Sequence, residues 1–121
     1  MFSDVRAVAV GVSDTDAAIT FFTQHLGFEL RMDVPVSESM RWVEVAPSGA
    51  TTSVALLAAN GPPVGIDTGI RFVVDDAGAT HAGLRAAGVQ VDELILSDYA
   101  PPMFDFHDPD GNIYYASELD G

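Results

Sequence analysis

"VRAVAVGVSDTDAAITFFTQHLGFEL", residues 5–30, reads as a strand, a capped helix, a glycine stop and the start of a second strand. Side chains alternate across a pleat, so Val8, Val10 and Val12 share one side of the first strand, and Ala7, Ala9 and Gly11 share the other. One side is apolar and the other nearly bare, which predicts a helix packed on the valine side. Ser13 or Asp14 can cap that helix, Asp16 complements the positive end of its dipole, and Ala18, Phe22 and Leu26 fall on one stripe. Gly27 supplies the left-handed residue that ends it.

The same order returns in "TGIRFVVDDAGATHAGLRAAGVQV", residues 68–91. Val12, Ser13 and Asp14 answer to Val74, Asp75 and Asp76, and Gly27 answers to Gly88, so the second helix is one residue shorter. Ile70, Phe72 and Val74 form one side of the strand, Gly69, Arg71 and Val73 the other, and a helix near 77–87 packs through Leu84. Strand-like segments follow each helix, at 28–33, 40–46 and 53–59, then at 89–95, 102–107 and 112–118. The chain is therefore a duplication, β-α-β-β-β twice, of the α+β class. "VALLAA" (54–59) is apolar on both parities, as in a strand covered on both faces. The Gly- and Pro-rich segment 60–69 is the expected hinge between module one (1–60) and module two (69–121) of a single domain. Segments 32–39 and 96–102 are expected to be loops.

A chain of 121 residues suits one domain with a real core. It has no cysteine, which removes disulfides, thiolate nucleophiles and thiolate metal sites. It has no lysine, which removes a P-loop lysine and a Schiff base. Eighteen acidic residues against five arginines give a net charge of −13, which repels nucleic acid and anionic membranes. The first residues lack a secretory pattern and no apolar run has the length of a membrane span, so a cytoplasmic protein is expected.

"HDPDGNIYY", residues 107–115, sets a histidine and two carboxylates beside two tyrosines. Asp108, Pro109 and Gly111 stand at the first, second and fourth positions of a β-turn, and that geometry alone accounts for residues 108–111.

With the duplicated order in place, "VSDTDAAITFFTQHLGFEL" and "FDFHDPDGNIYYASE" resemble the first and last signatures of the vicinal oxygen chelate superfamily, which contains glyoxalases, bleomycin resistance proteins and extradiol dioxygenases. The resemblance covers nearly the whole chain. It implies two tandem βαβββ modules curled into an open U-shaped mixed sheet, with helices on the outer face and a ligand on the concave one. It also implies a homodimer. Enzymes of that family place His or Gln on the first strand of each module and Glu near the end of the last. Here those positions fall at Ala7 and Gly69, and at Leu56 and Tyr115. Neighbours two residues away on the same side add Ala9, Val54, Ala58, Arg71, Ile113, Ser117 and one carboxylate, Asp67. Such a set does not supply the several convergent donors a divalent ion requires, so neither a metal nor another cofactor is expected.

The resemblance leaves a set of candidate ligand-binding residues. The small residues Ala7, Ala9 and Gly11 leave room for a pocket or for close packing. Arg71 suits a ligand carboxylate or phosphate, or an internal pair with Asp67, Asp75 or Glu44. Trp42 beside Glu44 offers an aromatic wall, and Tyr99, Met103 and Phe104 lie near the mouth of the cradle. Tyr115 stands where the family's acid would be. Asp105 and His107 share a parity and would form an acid/base pair if they face inward, while Phe104 and Phe106 compete for that face. The expected function is metal-free binding of a small molecule, as in the drug-sequestering branch of the family. The alternative is a lyase, isomerase or dioxygenase using non-standard metal ligands or metal-free acid/base residues. No catalytic residue is assigned.

Overall fold

The structure, a computed structural model, describes residues 1–119. Its contacts divide it into two compact units, one from Met1 to Val64 and the other from Gly65 onward. Each is a four-stranded mixed sheet with helical structure on one face. No helix among the described residues is long and apolar enough to cross a membrane.

In the first unit, β1 (Ala7–Gly11) leads into α1 (Thr15–Thr20), followed by β2 (Glu29–Ser37), β3 (Met40–Ala46) and β4 (Ser53–Leu57). The sheet order is β1-β4-β3-β2, with β1 parallel to β4 and the other neighbours antiparallel. Asp14 is the cap, its carboxylate accepting from the Ala17 amide at 3.1 Å. The extra residue of the first helix is absorbed as a π-helical turn, Phe21–His25, in which the Leu26 amide reaches the Phe21 carbonyl at 3.2 Å. That turn buries both Phe21 and Phe22, while Leu26 is left half-buried. An ion pair at 2.9 Å from Arg41 to Asp16 fixes the side of β3 that faces α1. Arg41 shares that side with the fully buried Val43 and Val45.

The second unit repeats the order with β5 (Asp67–Val73), α2 (Ala77–Ala86), β6 (Gln90–Val91), β7 (Met103–His107) and β8 (Ile113–Ser117), arranged β5-β8-β7-β6. Asp76 caps α2 through the Ala79 amide. Glu118 adds a carboxylate at the Ala77 amide, 2.9 Å away. The core lies between α2 and the sheet. There Phe106 stacks on Tyr114 with centroids 5.4 Å apart, Phe72 lies beside both, and His81 of α2 meets Phe104 edge-on at 5.1 Å.

Three boundaries differ from the sequence expectation. Residues 32–37 form a strand, not a loop, because β2 pairs along β3 as far as Ser37, with Pro35 opposite Arg41. β2 is the edge of its sheet, where a proline deprives no further neighbour of a hydrogen bond. Segment 89–95 keeps only Gln90–Val91 as strand and an isolated bridge from Ile95 to Met103. The Asp92 amide still reaches the Asp105 carbonyl, so Glu93 and Leu94 together oppose Phe104 and the ladder bulges there. β5 begins at Asp67, inside the segment expected to be hinge.

Candidate functional site

The face of each sheet turned away from its helix carries the candidate side chains. In the first unit, cross-strand register sets Ala9 beside Ala55, Ala55 beside Glu44 and Glu44 beside Met32. Leu56 pairs with Val10 and Val54 with Val8, so both lie on the valine side. The sequence reading that set Leu56 and Val54 on the Ala7 side is therefore wrong by one residue. After Ser53, β4 is apolar and it is buried along its whole length, so Val54–Leu57 offer no alternation to read. Small residues on this face do not all leave open space: a Cβ added at Gly11 would lie 2.0 Å from the Pro62 carbonyl oxygen, so the backbone of the following loop fills that position.

Trp42 and Glu44 are two residues apart on β3 and touch, the indole N–H donating to the Glu44 carboxylate at 2.6 Å. Arg6 donates to the same oxygen at 3.2 Å, so Glu44 has its ion-pair partner within its own unit. Glu44 is only 5% exposed. The hydrogen bond from Trp42, helped by Arg6 and Ser53, holds its carboxyl below the usual range against the opposing effect of burial. It is a satisfied anion.

On the corresponding face of the second unit one cross-strand row is polar from edge to edge. Arg71 on β5 is opposite Tyr115 on β8, Tyr115 is opposite Asp105 on β7, and the Asp92 amide donates to the Asp105 carbonyl beyond β6. The Arg71 guanidinium lies over the Tyr115 ring, 4.4 Å from its centroid, and donates to the Gly69 carbonyl at 2.8 Å. Tyr115 donates its hydroxyl to Asp67 at 2.6 Å. That bond lowers the Asp67 pKa and raises that of Tyr115. Arg6, Arg31 and Arg41 each pair with a carboxylate, whereas Arg71 on this face and Arg85 on α2 have none within ion-pair distance among the described residues.

At the other end of this row, Asp92, Asp105 and His107 bring one donor atom each within 4.8 Å of one another. The imidazole Nε2 of His107 lies 3.0 Å from an Asp92 oxygen. Burial and the neighbouring Asp92 carboxylate push the Asp105 carboxyl up, while hydrogen bonds from Asp105 and then His107 pull Asp92 down. The two carboxyls are thus pushed in opposite directions, the more buried Asp105 upward and Asp92 downward. Two carboxyls and an imidazole gathered in this way can hold an ammonium group, relay a proton or offer three donors to a cation.

Other candidates fall elsewhere. Phe104 is 1% exposed on the helix side and packs against His81, so it is core and leaves the candidate set; alternation gives Met103, Asp105 and His107 the opposite face. Tyr99 is almost fully exposed on loop 96–102. The segment "DPDG" is a turn closed by the Gly111 amide on the Asp108 carbonyl at 3.0 Å. The buried Asp108 carboxylate accepts from the Asp110 and Asn112 amides, the Asn112 side chain and the Tyr114 hydroxyl, at 2.7–3.0 Å. With four donors already on it, Asp108 is a structural hub. Asp92 was missed by the sequence reading; its only signal is that Gln90 and Asp92 continue one parity of the shortened β6.

The residues at the family's metal-ligand positions do not fit a metal ion. Ala7 and Gly69 carry no donor, Leu56 faces the helix, its exchanged neighbours Ala55 and Leu57 are apolar, and the Tyr115 hydroxyl is committed to Asp67. Two surface grooves, of about 340 and 480 Å3, lie at the β2–β3 hairpin and between α2 and β6, and neither contains Trp42, Arg71 or Tyr115.

The duplicated βαβββ topology agrees with a family model, Glyoxalase/Bleomycin resistance protein/Dioxygenase superfamily, that matches residues 5–114. The chain belongs to that superfamily. It is 29% identical over 121 residues to the uncharacterized protein YetH of Bacillus subtilis (strain 168), covering 98% of this chain and 100% of YetH. Among solved structures it is similar to TnmS3, an antibiotic binding protein from Streptomyces sp. CB03234, with 34% identity, 98% of each chain covered and a TM-score of 0.87. A superfamily member from Sphaerobacter thermophilus DSM 20745 is 31% identical, with 98% of each chain covered and a TM-score of 0.89.

Proposed function

We propose that this protein binds a small molecule without a metal and acts by sequestering a drug or metabolite, in the cytoplasm and as a homodimer. The observation that carries this reading is the donor set: positions that hold metal ligands in the family's enzymes are Ala7, Gly69 and Tyr115, with apolar residues on β4. What those faces do offer is an indole beside a carboxylate at Trp42 and Glu44, and a guanidinium stacked on a phenol at Arg71 and Tyr115. Such groups recognise by stacking and hydrogen bonding. The similarity to an antibiotic binding protein over 98% of the chain supports binding as the activity. Leu30, Val34 and Val36 are exposed along the edge strand β2, which supports self-association.

The test is a thermal-shift screen of antibiotics and metabolites, run with and without a chelator. Selective stabilisation that survives chelation is the expected result, since a ligand of the folded state raises its stability with affinity. Stabilisation abolished by the chelator would overturn the reading.

A second reading, a lyase, isomerase or dioxygenase, is supported by Asp92, Asp105 and His107 lying together. There Asp105 and His107 would exchange a proton with substrate, or the three would hold a cation. It predicts that a stabilising compound is converted on incubation, and that His107→Ala stops conversion while leaving the unfolding midpoint unchanged.

A further inference from the structure

The helix-free face of the second sheet carries a positive group and a negative group on one row of cross-strand partners. Arg71 is an exposed arginine without a carboxylate partner in a chain where acids outnumber arginines 18 to 5. Its position is nonetheless fixed by the Gly69 carbonyl and the Tyr115 ring. Asp67, the nearest carboxylate along β5, is occupied by the Tyr115 hydroxyl and the Gly69 amide. The Arg71 guanidinium is thus held in place by one carbonyl and one ring, with its remaining N–H groups unbonded among the described residues. A planar donor fork in that condition suits a ligand carboxylate.

Two strands away lies the carboxyl pair. Asp92 and Asp105 are forced together by main-chain register, the Asp92 amide bonding the Asp105 carbonyl at 2.9 Å, and His107 closes the third side. One oxygen of each carboxyl and an imidazole nitrogen lie within 4.8 Å of one another, so an ammonium placed there can neutralise negative charge while donating to both carboxyls. Tyr115, half-buried between the two groups, provides the surface that a connecting chain or ring would cover.

We infer that this face takes an amphoteric ligand, with a carboxylate on Arg71 and a protonated amine on the Asp92–Asp105–His107 cluster. The inference rests on the small-molecule-binding reading above and names the chemistry of its ligand. Adjacent strands are about 4.8 Å apart; Asp105 is two strands from Arg71 and Asp92 about three, but the guanidinium leans one strand inward over Tyr115, so the ligand's charged groups should be separated by one to two spacings, about 5–10 Å. A purely cationic ligand would leave Arg71 unused, and a purely anionic one would meet the acidic pole.

The experiment is a titration of the full chain with a ladder of unbranched ω-amino acids, from glycine through aminobutanoate and aminohexanoate to aminododecanoate, followed by NMR shifts. Matching alkylamines and alkylcarboxylates serve as controls. Binding is expected to peak at aminobutanoate or aminohexanoate and to exceed either control about tenfold. Arg71→Gln should reduce the best rung to the affinity of its alkylamine, and Asp92→Asn to that of its carboxylate. Both substitutions are at exposed positions, and an unchanged unfolding midpoint checks that each variant is folded. A ladder without a length optimum, or an optimum indifferent to Arg71→Gln, overturns the inference. If antibiotics in the screen still bind under those conditions, the metal-free binding reading stands while the two-pole ligand falls. If nothing in either panel binds, both fall.

Discussion

Glu44 and Asp105 occupy the same place in the two modules. Glu44 lies on the third strand opposite Ala55, which lies opposite Ala9; Asp105 lies on the third strand of its own module opposite Tyr115, which lies opposite Arg71. Both carboxyls face away from the helix, yet their surroundings have opposite effects. Around Glu44 the neighbours donate: an indole, a guanidinium and the Ser53 hydroxyl hold the group ionised although it is buried. Around Asp105 burial and a second carboxylate, Asp92, act together to push its pKa up. Duplication supplied one backbone position twice, and the local donors decide whether its acid is a structural anion or a reactive group. The first module surrounds its acid with donors; the second sets its acid beside another carboxyl and an imidazole.

The largest effect separating the modules should come from their turns. Asp108 and Pro47 begin equivalent turns, each closed by an amide three residues on. Asp108→Ala removes a buried acceptor shared by the Tyr114 hydroxyl, the Asn112 side chain and two backbone amides, and should cost about 3 kcal/mol or more in urea unfolding. Pro47→Ala should cost under about 1 kcal/mol. Similar costs at the two positions would mean that Asp108 is no hub.

The two acids should respond with opposite signs. Glu44→Gln removes the anion that Trp42 and Arg6 address and should cost about 1–2 kcal/mol at neutral pH. Asp105→Asn relieves the carboxylate conflict and should stabilise by up to about 1 kcal/mol. Destabilisation by both would break the contrast.

A finer test is the pH at which each contribution disappears. The folded pKa of Glu44 is depressed, so its stabilisation is present above the unfolded value, about 4.3, and is lost as pH falls through the folded one. The folded pKa of Asp105 is raised, so its contribution is complete below the unfolded value, about 3.9, and is lost as pH rises through the folded one. Wild-type minus Glu44→Gln stability should therefore fall on acidification, and wild-type minus Asp105→Asn should fall on alkalinisation. Denaturant titrations across the acid range read both slopes.

Much of this architecture was legible in the sequence because its signals are local and repeated. The alternation of Ile70, Phe72 and Val74, the Asp caps at 14 and 76 and the glycine stops at 27 and 88 each need only a few neighbouring residues. The extra residue of the first helix was countable by aligning the halves, although only the structure shows it as a π turn at Phe21–His25. What failed depends on partners distant in sequence. Pro35 reads as a break until β3 is seen to pair past it, and Leu56 has no legible face until Val10 is placed beside it. The site suffered most. Asp92 becomes significant only through the register that carries it to Asp105 and His107, and no local pattern marks a residue at the end of a two-residue strand.

The central claim is that these sheet faces recognise a ligand with side chains alone. Elemental analysis of protein purified without chelators tests it most directly, run beside an Asp92→Asn, His107→Ala double variant. The account predicts substoichiometric nickel, zinc, iron and manganese, at equal levels in both proteins. One equivalent of any of these in the wild type, lost from the double variant, would contradict it.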